Sequence, residues 1–438
     1  MTFQKFKGGI HPRNFKYLAK NSPIKNLPLP QKVVIPLLQH TGAINESIVK
    51  PGDLVKKGEK IGESKKFISA PVHSSISGKI SAIKEFPTPL EQEVLSVVIE
   101  SDNRNEEFLS KKIDWKKESI ESIKNRIREA GIVGLGGAAF PTVVKLSPPE
   151  EKKIDTVILN GCECEPYLTA DYRLMVEKPE EILEGFQIIL KVLDVKNGYI
   201  GIEDNKPEAV KSLKFKIQNS KFKIKIIVLP TKYPQGAEKQ LIKAITKREV
   251  PSGGLPMDVG VVVQNISTAL AIKEAVVDGK ALVERVVTVS GPRVKNPGNF
   301  RVRIGTPISE LITASGGLPD DTERIIVGGP MMGIAQQTIE IPVTKGMTGI
   351  LLLPKDEFLS EEIEPCIRCG KCNDVCPMNL LISEIGRYAE NKDWESTKKL
   401  GLDDCMECGA CAYVCSAKRP LVQYIKWAKE RCKKEPFL

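Results

Sequence analysis

The chain has 438 residues, of which 41% are hydrophobic and 27% charged, with a formal net charge of +10. That length exceeds one ordinary core and fits about two to four domains. No apolar run approaches the roughly 18 residues of a membrane span. The excess lysine is spread along the chain, with neither zinc-finger spacing nor an aromatic-rich basic sheet motif, which sets nucleic acid aside and leaves an acidic protein or an anionic surface as a partner.

The N-terminal MTFQKFKGGIHP has no apolar signal core, so the chain is expected to be cytoplasmic. Within 48–83, Pro51-Gly52-Asp53 and the run from Val55 to Gly58 make a turn, a strand and a turn, and Ala70-Pro71 begins a counterpart. This resembles a lipoyl- or biotinyl-type β sandwich, expected over 1–110. A carrier domain needs one lysine on a hairpin tip flanked as in MKM or DKA. Lys65-Lys66 does not match, so a docking role is expected. His11, His40 and His73 all lie in this part and receive no catalytic role.

Residues 119–130 have helical spacing and lead into GIVGLGGAAFPTVVK, 131–145. Gly134, Gly136 and Gly137 offer backbone amides with no side chains in the way, as phosphate loops do. The string is not G-x-G-x-x-G and follows a helix, so taken alone a plain tight turn explains it better. Strand-like runs at 154–160, 198–204, 222–229 and 258–265 then alternate with helical ones at 179–193, 207–217, 236–246 and 267–276. Such alternation predicts a parallel sheet with helices on both faces and ligands at the strands' carboxyl ends. NGCECEP (160–166), YPQGAE (233–238) and VQNIS (263–267) should gather at that edge with the glycine loop.

From 283 to 329 an apolar strand, a Gly-Pro turn, a strand and a short helix follow the SLBB pattern, expected over 281–350. A spacer or interaction role is expected there. The glycines of RIIVGGPMMGIA (324–335) follow a strand and offer a contact with the cofactor edge, but a packed turn with methionine filling gaps is the reading preferred. The basic amphipathic stretch 420–435 reads as a solvated helix that also suits an acidic partner or membrane surface.

Eight of the eleven cysteines fall in two runs. Clustered cysteines in a cytosolic chain point to metal rather than disulfides. CIRCGKCNDVCP spaces Cys366, Cys369, Cys372 and Cys376 by two, two and three residues, and CMECGACAYVCS repeats this with Cys405, Cys408, Cys411 and Cys415. In this bacterial ferredoxin spacing, three cysteines of a run hold one [4Fe–4S] cubane and the fourth ligates the other. Cys366, Cys369, Cys372 and Cys415 are therefore expected to hold one cluster, and Cys405, Cys408, Cys411 and Cys376 the second. Zinc sites use two separated pairs rather than four cysteines packed so tightly. Gly370 and Gly409 sit at matching turns.

The stretches at 134–145, 160–166, 233–238 and 263–267, in this order, resemble the flavin- and NADH-binding subunit of respiratory complex I. That family carries GRGGAGFP-x2-K, NADESEP, Y-x2-GEE and NNVET. With the sandwich before them and the SLBB and ferredoxin patterns behind, nearly the whole chain is similar to the C subunit of the membrane-bound Rnf complex. The resemblance implies a multidomain α/β protein: a lipoyl-like β sandwich, a doubly wound FMN/NADH-binding domain over 111–280, an SLBB β-grasp domain, and a two-cluster ferredoxin-like helical module over 351–438. It places Gly134, Gly136 and Gly137 near FMN phosphate or the dinucleotide, Lys145 near the flavin phosphate and Phe140 on the nicotinamide side. Asn160, Glu163 and Glu165 should line the isoalloxazine and ribose. Glu238 and Asn265 match the second glutamate of GEE and the second asparagine of NNVET. Leu135 departs from an arginine, Ala237 from a glutamate and Gln264 from an asparagine. Cys162 and Cys164 replace other residues, either as small residues beside a cofactor or as a redox pair.

The implied function is that of a peripheral subunit on the cytoplasmic face of an ion-translocating NAD:ferredoxin oxidoreductase. Its cofactors would be FMN, NAD(H) and two [4Fe–4S] clusters, and its partners the other subunits of a membrane complex and, indirectly, ferredoxin. NADH gives two electrons together and a cubane takes one, so a flavin belongs between them, and no general acid or base is needed. Two alternatives stand beside this: the NADH-oxidising subunit of a soluble enzyme such as a hydrogenase, and a wiring scaffold that binds no flavin. The quinone-linked Na+-pumping relative lacks the cysteine runs.

Overall fold

The computed structural model describes residues 6–217, 222–355 and 362–434. Four parallel strands, Thr156–Asn160, Asn197–Glu203, Lys223–Leu229 and Val261–Asn265, form the central sheet. Thr156–Asn160 and Val261–Asn265 are buried in succession because both faces are covered, whereas the edge strand Lys223–Leu229 alternates at its start. Val157 and Leu159 enter a core with Phe186, Ile189 and Leu270, whereas Ile158 enters the opposite one with Leu241 and Ile242. The covering helices, Pro179–Val192, Pro207–Ile217, Glu238–Thr246 and Ile266–Val276, fall within about two residues of their expected bounds. Pro179 at the first helical position with Glu180 and Glu181 behind it starts the first of these. A further helix, Ala170–Glu177, was not legible as a separate period.

Across the sheet the third strand lies outermost, then the second, the first and the fourth. The chain therefore reverses its winding between Thr156–Asn160 and Val261–Asn265, and a crevice opens beyond their carboxyl ends. Asn160 and Asn265 are register partners at this switch point.

The N-terminal sandwich pairs Lys32–Pro36, Glu93–Ser101, Gly78–Pro87 and Leu54–Val55 in one sheet and Glu46–Ser47, Lys60–Glu63 and Val72–His73 in the other. Val33, Ile35, Ile61, Ile80, Val97 and Ile99 fill it. The SLBB region contributes Glu284–Ser290, Gly298–Arg303 and the helix Ile308–Ala314 in the expected order. Its sheet also takes Gly349–Pro354 between Glu284–Ser290 and Thr322–Val327, so it runs past the division drawn at residue 350. Ile24–Asn26 joins its edge, parallel to Gly298–Arg303, so the first residues of the chain leave the sandwich and strap the other units.

The cysteine runs belong to a helical module cored by Ile382, Ile385, Leu402, Leu421 and Ile425. The basic helix forms at Leu421–Lys434, and its Leu421, Ile425, Ala428 and Cys432 face this core, so its apolar stripe is used internally; residue 435 lies outside the described residues. Among the described residues no helix is long and apolar enough to cross a membrane.

Sandwich, doubly wound domain and SLBB region meet at a buried lysine. Lys345 Nζ donates to the carbonyls of Pro71 at 2.6 Å and Gly131 at 2.8 Å, and burial pulls its pKa down to about 7. Burial and this lysine hold His73 at about 3 and His40 at about 4. Both histidines are thus neutral when folded and protonate near pH 6.5 when unfolded. The stability they lend is present above pH 6.5 and lost as pH falls toward their folded values. His73 alone should cost about 2 kcal/mol between pH 6.5 and 5. Denaturant titrations at the two pH values should show that loss, and His73→Phe should flatten it.

Candidate functional site

The glycine loop lies over the switch-point crevice and is held from three sides. The Leu135 amide donates to Thr268 Oγ1 at 2.9 Å, its carbonyl accepts from the buried guanidinium of Arg285 at 3.0 Å, and Thr41 Oγ1 donates to the Ala138 carbonyl at 2.7 Å. The Leu135 side chain is buried, so the position that departs from the expected arginine faces the core here. Gly134 closes the loop through its amide to the Phe140 carbonyl at 2.8 Å. Gly136, Gly137 and Ala138 are exposed, and among the described residues no acceptor takes their amides. Gly136 also presses on Asn265, where an added Cβ would lie 2.5 Å from Nδ2, whereas one at Gly137 would meet nothing within 4 Å. Free amides on a rigid loop at a switch point make a cradle for phosphate.

Four other predicted residues converge on the same edge. Lys145 ends the short helix Thr142–Lys145 and donates to Glu238 Oε1 at 2.6 Å and to the Val263 carbonyl at 3.2 Å. Asn160 Nδ2 donates to the Gly236 carbonyl at 2.8 Å. Asn265 caps its helix, accepting from the Ser267 and Thr268 amides, and donates to Asp171 Oδ2 at 2.6 Å. Among the described residues, the buried Gln235 Nε2, Gln264 Nε2 and Thr142 Oγ1 in these same segments have no hydrogen-bond partner, as expected of groups that meet a ligand or ordered water. The chain therefore fits a phosphate-bearing flavin.

Glu163 and Glu165 are placed differently from the expectation. Glu163 accepts from the amides of Asp171 at 2.7 Å and Tyr172 at 3.3 Å, capping the helix whose Asp171 anchors Asn265. Glu165 accepts from the amides of Met331 at 3.1 Å and Met332 at 3.0 Å in the SLBB turn. Burial raises both carboxyls to about 7. Burial also raises the Cys164 thiol to about 12 and Cys162 well above its usual value. A thiol held protonated is a poor nucleophile, and both pack as small residues around Gly236.

The two cysteine runs repeat each other at an offset of 39 residues, from 366 to 405 and from 376 to 415. The backbone repeats as well: Arg368 and Glu407, Gly370 and Gly409, and Asn379 and Lys418 all take positive φ. These turns curl each run around its thiols and aim amides at sulfur, as in Leu380 N–H to Cys376 Sγ and Glu407 N–H to Cys405 Sγ, both 3.4 Å. Cys376, Cys405, Cys408 and Cys411 line one pocket with Met378, Met406 and Val422. Burial raises the Cys372 thiol, and the neighbouring Cys415 and Cys366 add to the rise. Among the described residues no three or more His, Cys, Asp or Glu converge on a single metal ion; the four thiols surround a space. Burial pushes Cys408 to about 11 and Cys411 to about 12, so a thiolate there requires the positive charge that cluster iron brings.

A doubly wound domain with an open glycine loop, joined to a doubled cysteine repeat, defines an electron-transfer protein of the flavin and iron–sulfur class. Four family models match in chain order: the RnfC barrel sandwich hybrid domain at residues 4–104, the Nuo51 FMN-binding domain at 127–274, the SLBB domain at 286–335 and the 4Fe-4S dicluster domain at 359–416. The chain is 47% identical over 427 residues to the C subunit of the proton-translocating ferredoxin:NAD(+) oxidoreductase complex of Clostridium ljungdahlii, covering 97% of this chain and 93% of that one. It is 46% identical to the Na(+)-translocating counterpart of Acetobacterium woodii, over 97% and 96% of the two chains. The chain belongs to this family, the RnfC subunits of the ion-translocating oxidoreductase complexes. An NAD+-reducing [NiFe]-hydrogenase shares the fold at TM-score 0.51 and 18% identity, covering 73% of this chain and 63% of that one.

Asp171, Arg285, Tyr233 and the Met331–Met332 turn were not found from the sequence. Arg285 lies in the SLBB strand and the turn in the glycine-rich stretch 324–335, but nothing local showed what either would reach, and Asp171 carries no signal beyond opening a short helix. Tyr233 stood inside a motif, but its direction was not readable.

Proposed function

We propose that this chain is the peripheral subunit through which an ion-translocating ferredoxin:NAD oxidoreductase complex exchanges electrons with NAD(H). The observation that carries it is the buried contact between crevice and cysteine pocket: Cys164 at the strand end packs in one apolar cluster with Cys408, Met331 and Tyr233. The amides of Gly136, Gly137 and Ala138 and the Lys145 ammonium would hold the flavin phosphate or the dinucleotide, and Phe140 would bound the nicotinamide side. Asn160, Asn265 and Glu238 would orient the bound groups by hydrogen bonds. Flavin, when bound, exchanges a hydride on one side and single electrons on the other. The chain itself places the two centres and excludes water between them by the apolar cluster.

The pocket of Cys376, Cys405, Cys408 and Cys411 would hold the cluster nearer the crevice. Cys366 and Cys369 are exposed beside exposed Ile363 and Ile367, the side from which partner subunits on the cytoplasmic face of the membrane would reach the other cluster. Anaerobic reconstitution with iron, sulfide and FMN tests the reading. NADH should bleach the flavin and then raise a reduced-cluster paramagnetic signal. Clusters without reduction by either NADH or NADPH would make the isolated chain a scaffold.

A further inference from the structure

One segment, 233–240, touches both candidate centres. On the crevice side, the Gly236 carbonyl accepts from Asn160 Nδ2 at 2.8 Å and Glu238 accepts from Lys145 at 2.6 Å. On the cysteine side, Tyr233 donates its single hydroxyl proton to the Cys408 carbonyl at 2.7 Å, and Gln240 Nε2 donates to the Pro377 carbonyl at 3.0 Å, next to Cys376. The segment thus grips the cysteine pocket at both of its walls.

Tyr233 is 2% exposed and fixed in turn. Its backbone pairs with Ile10 of the N-terminal strap, Ile10 N–H to the Tyr233 carbonyl at 2.8 Å and Tyr233 N–H to the Ile10 carbonyl at 2.9 Å. Glu165 Oε1 lies 3.5 Å from the Tyr233 hydroxyl, and the same carboxylate accepts from the Met331 and Met332 amides. Lys16 Nζ holds the Glu165 carbonyl at 2.9 Å from the other side. The Met331 carbonyl then abuts Gly409, where an added Cβ would come within 2.8 Å. Glu165 therefore acts away from the crevice: it pins the SLBB turn that closes over the second cysteine run.

We propose that segment 233–240 is a positioning element that sets the nucleotide crevice and the nearer cluster at a fixed separation, with Tyr233 and Gln240 as its positioning residues and Glu165 as the group that braces it from outside. This rests on the reading of the two centres given above. Hydrogen bonds to the cluster sulfurs and the exclusion of solvent set a cluster's potential; Tyr233 and Gln240 act on the first by fixing the backbone that aims amides at sulfur, and the turn at Gly409 acts on the second. The residues reach the cluster, and only the cluster nearer the crevice, through Cys408, Pro377 and Gly409.

The test uses the full chain, reconstituted with iron, sulfide and FMN. Tyr233→Phe removes one hydroxyl and leaves the packing. Glu165→Gln leaves one acceptor oxygen for two amides. In both variants the paramagnetic signal and midpoint potential of one cluster should move while those of the other stay put. That same cluster should surrender iron to a chelator several-fold faster, and FMN and NADH affinity should stay within about twofold of the parent. Unchanged cluster signals and chelation rates in both variants would overturn the proposal, as would a loss of NADH affinity in Glu165→Gln without a cluster change. A parent chain that fails to assemble two clusters would sink the underlying reading as well, so the two failures are told apart.

Discussion

Cys376→Ala should remove the cluster of the other run. Cys376 follows Cys366, Cys369 and Cys372 in sequence, yet it is buried among Cys405, Cys408 and Cys411 in one pocket. The physical cause is the turn after each short helix: Lys371–Asp374 and Ala410–Tyr413 carry the fourth cysteine of each run away from its first three and toward the opposite run. Losing one of four thiolates strands the other three around an open iron corner. Reconstituted Cys376→Ala should therefore bind about half of the parent's iron, the content of one cubane of two. The signal that remains should be that of the exposed cluster. Cys415→Ala should leave the complementary signal, and the double variant Cys405→Ala/Cys408→Ala should match Cys376→Ala. If Cys376→Ala instead resembles Cys366→Ala/Cys369→Ala, each run holds its own cluster and the crossed assignment fails.

Gly136→Ala should abolish tight flavin binding while Gly137→Ala is tolerated by the fold. At Gly136 the new Cβ would lie 2.5 Å from Asn265 Nδ2 and 2.8 Å from its Cγ. Asn265 cannot yield cheaply, because it caps Ile266–Val276 through two amides and is tied to Asp171. Giving up that cap costs about 1 kcal/mol, so the glycine loop moves instead. The displaced amides no longer converge on one phosphate, and each hydrogen bond lost to a charged group costs about 1.5–3 kcal/mol, roughly 10- to 100-fold in affinity. Flavin fluorescence titration should show FMN affinity falling by that order in Gly136→Ala, with both clusters still assembled. At Gly137 the Cβ meets no protein atom, so the melting temperature should match the parent. FMN affinity in Gly136→Ala equal to the parent's would refute the close approach as the cause.

Much of this architecture was legible because it is local. The order of strands and helices follows from apolar runs of strand length set between helical periods, and the doubled cysteine spacing carries its own backbone turns. Even the crevice could be placed, since Asn160 and Asn265 end predicted strands and the alternation implies a parallel sheet. Glu165 shows where this stopped. Its motif matched a nucleotide contact, but the structure turns its carboxylate to Met331 and Met332, 166 and 167 residues away. Leu135 is a second case: the arginine expected in that loop is absent, and Arg285 reaches the loop's carbonyl from the SLBB strand, 150 residues away.

By itself, then, the sequence determined which chemistry the chain carries: thiolates at cubane spacing, a glycine loop with open amides, and the alternation that builds a switch point. Each depends on residues within a turn or two of one another, where covalent geometry and hydrophobic period leave few choices. The tertiary structure decided how the chemistries are joined. Tyr233 meets Cys408 across 175 residues, and Lys16 meets Glu165 across 149. Such contacts depend on how four domains pack, and the packing energy is shared over many apolar side chains, so no single residue type announces it.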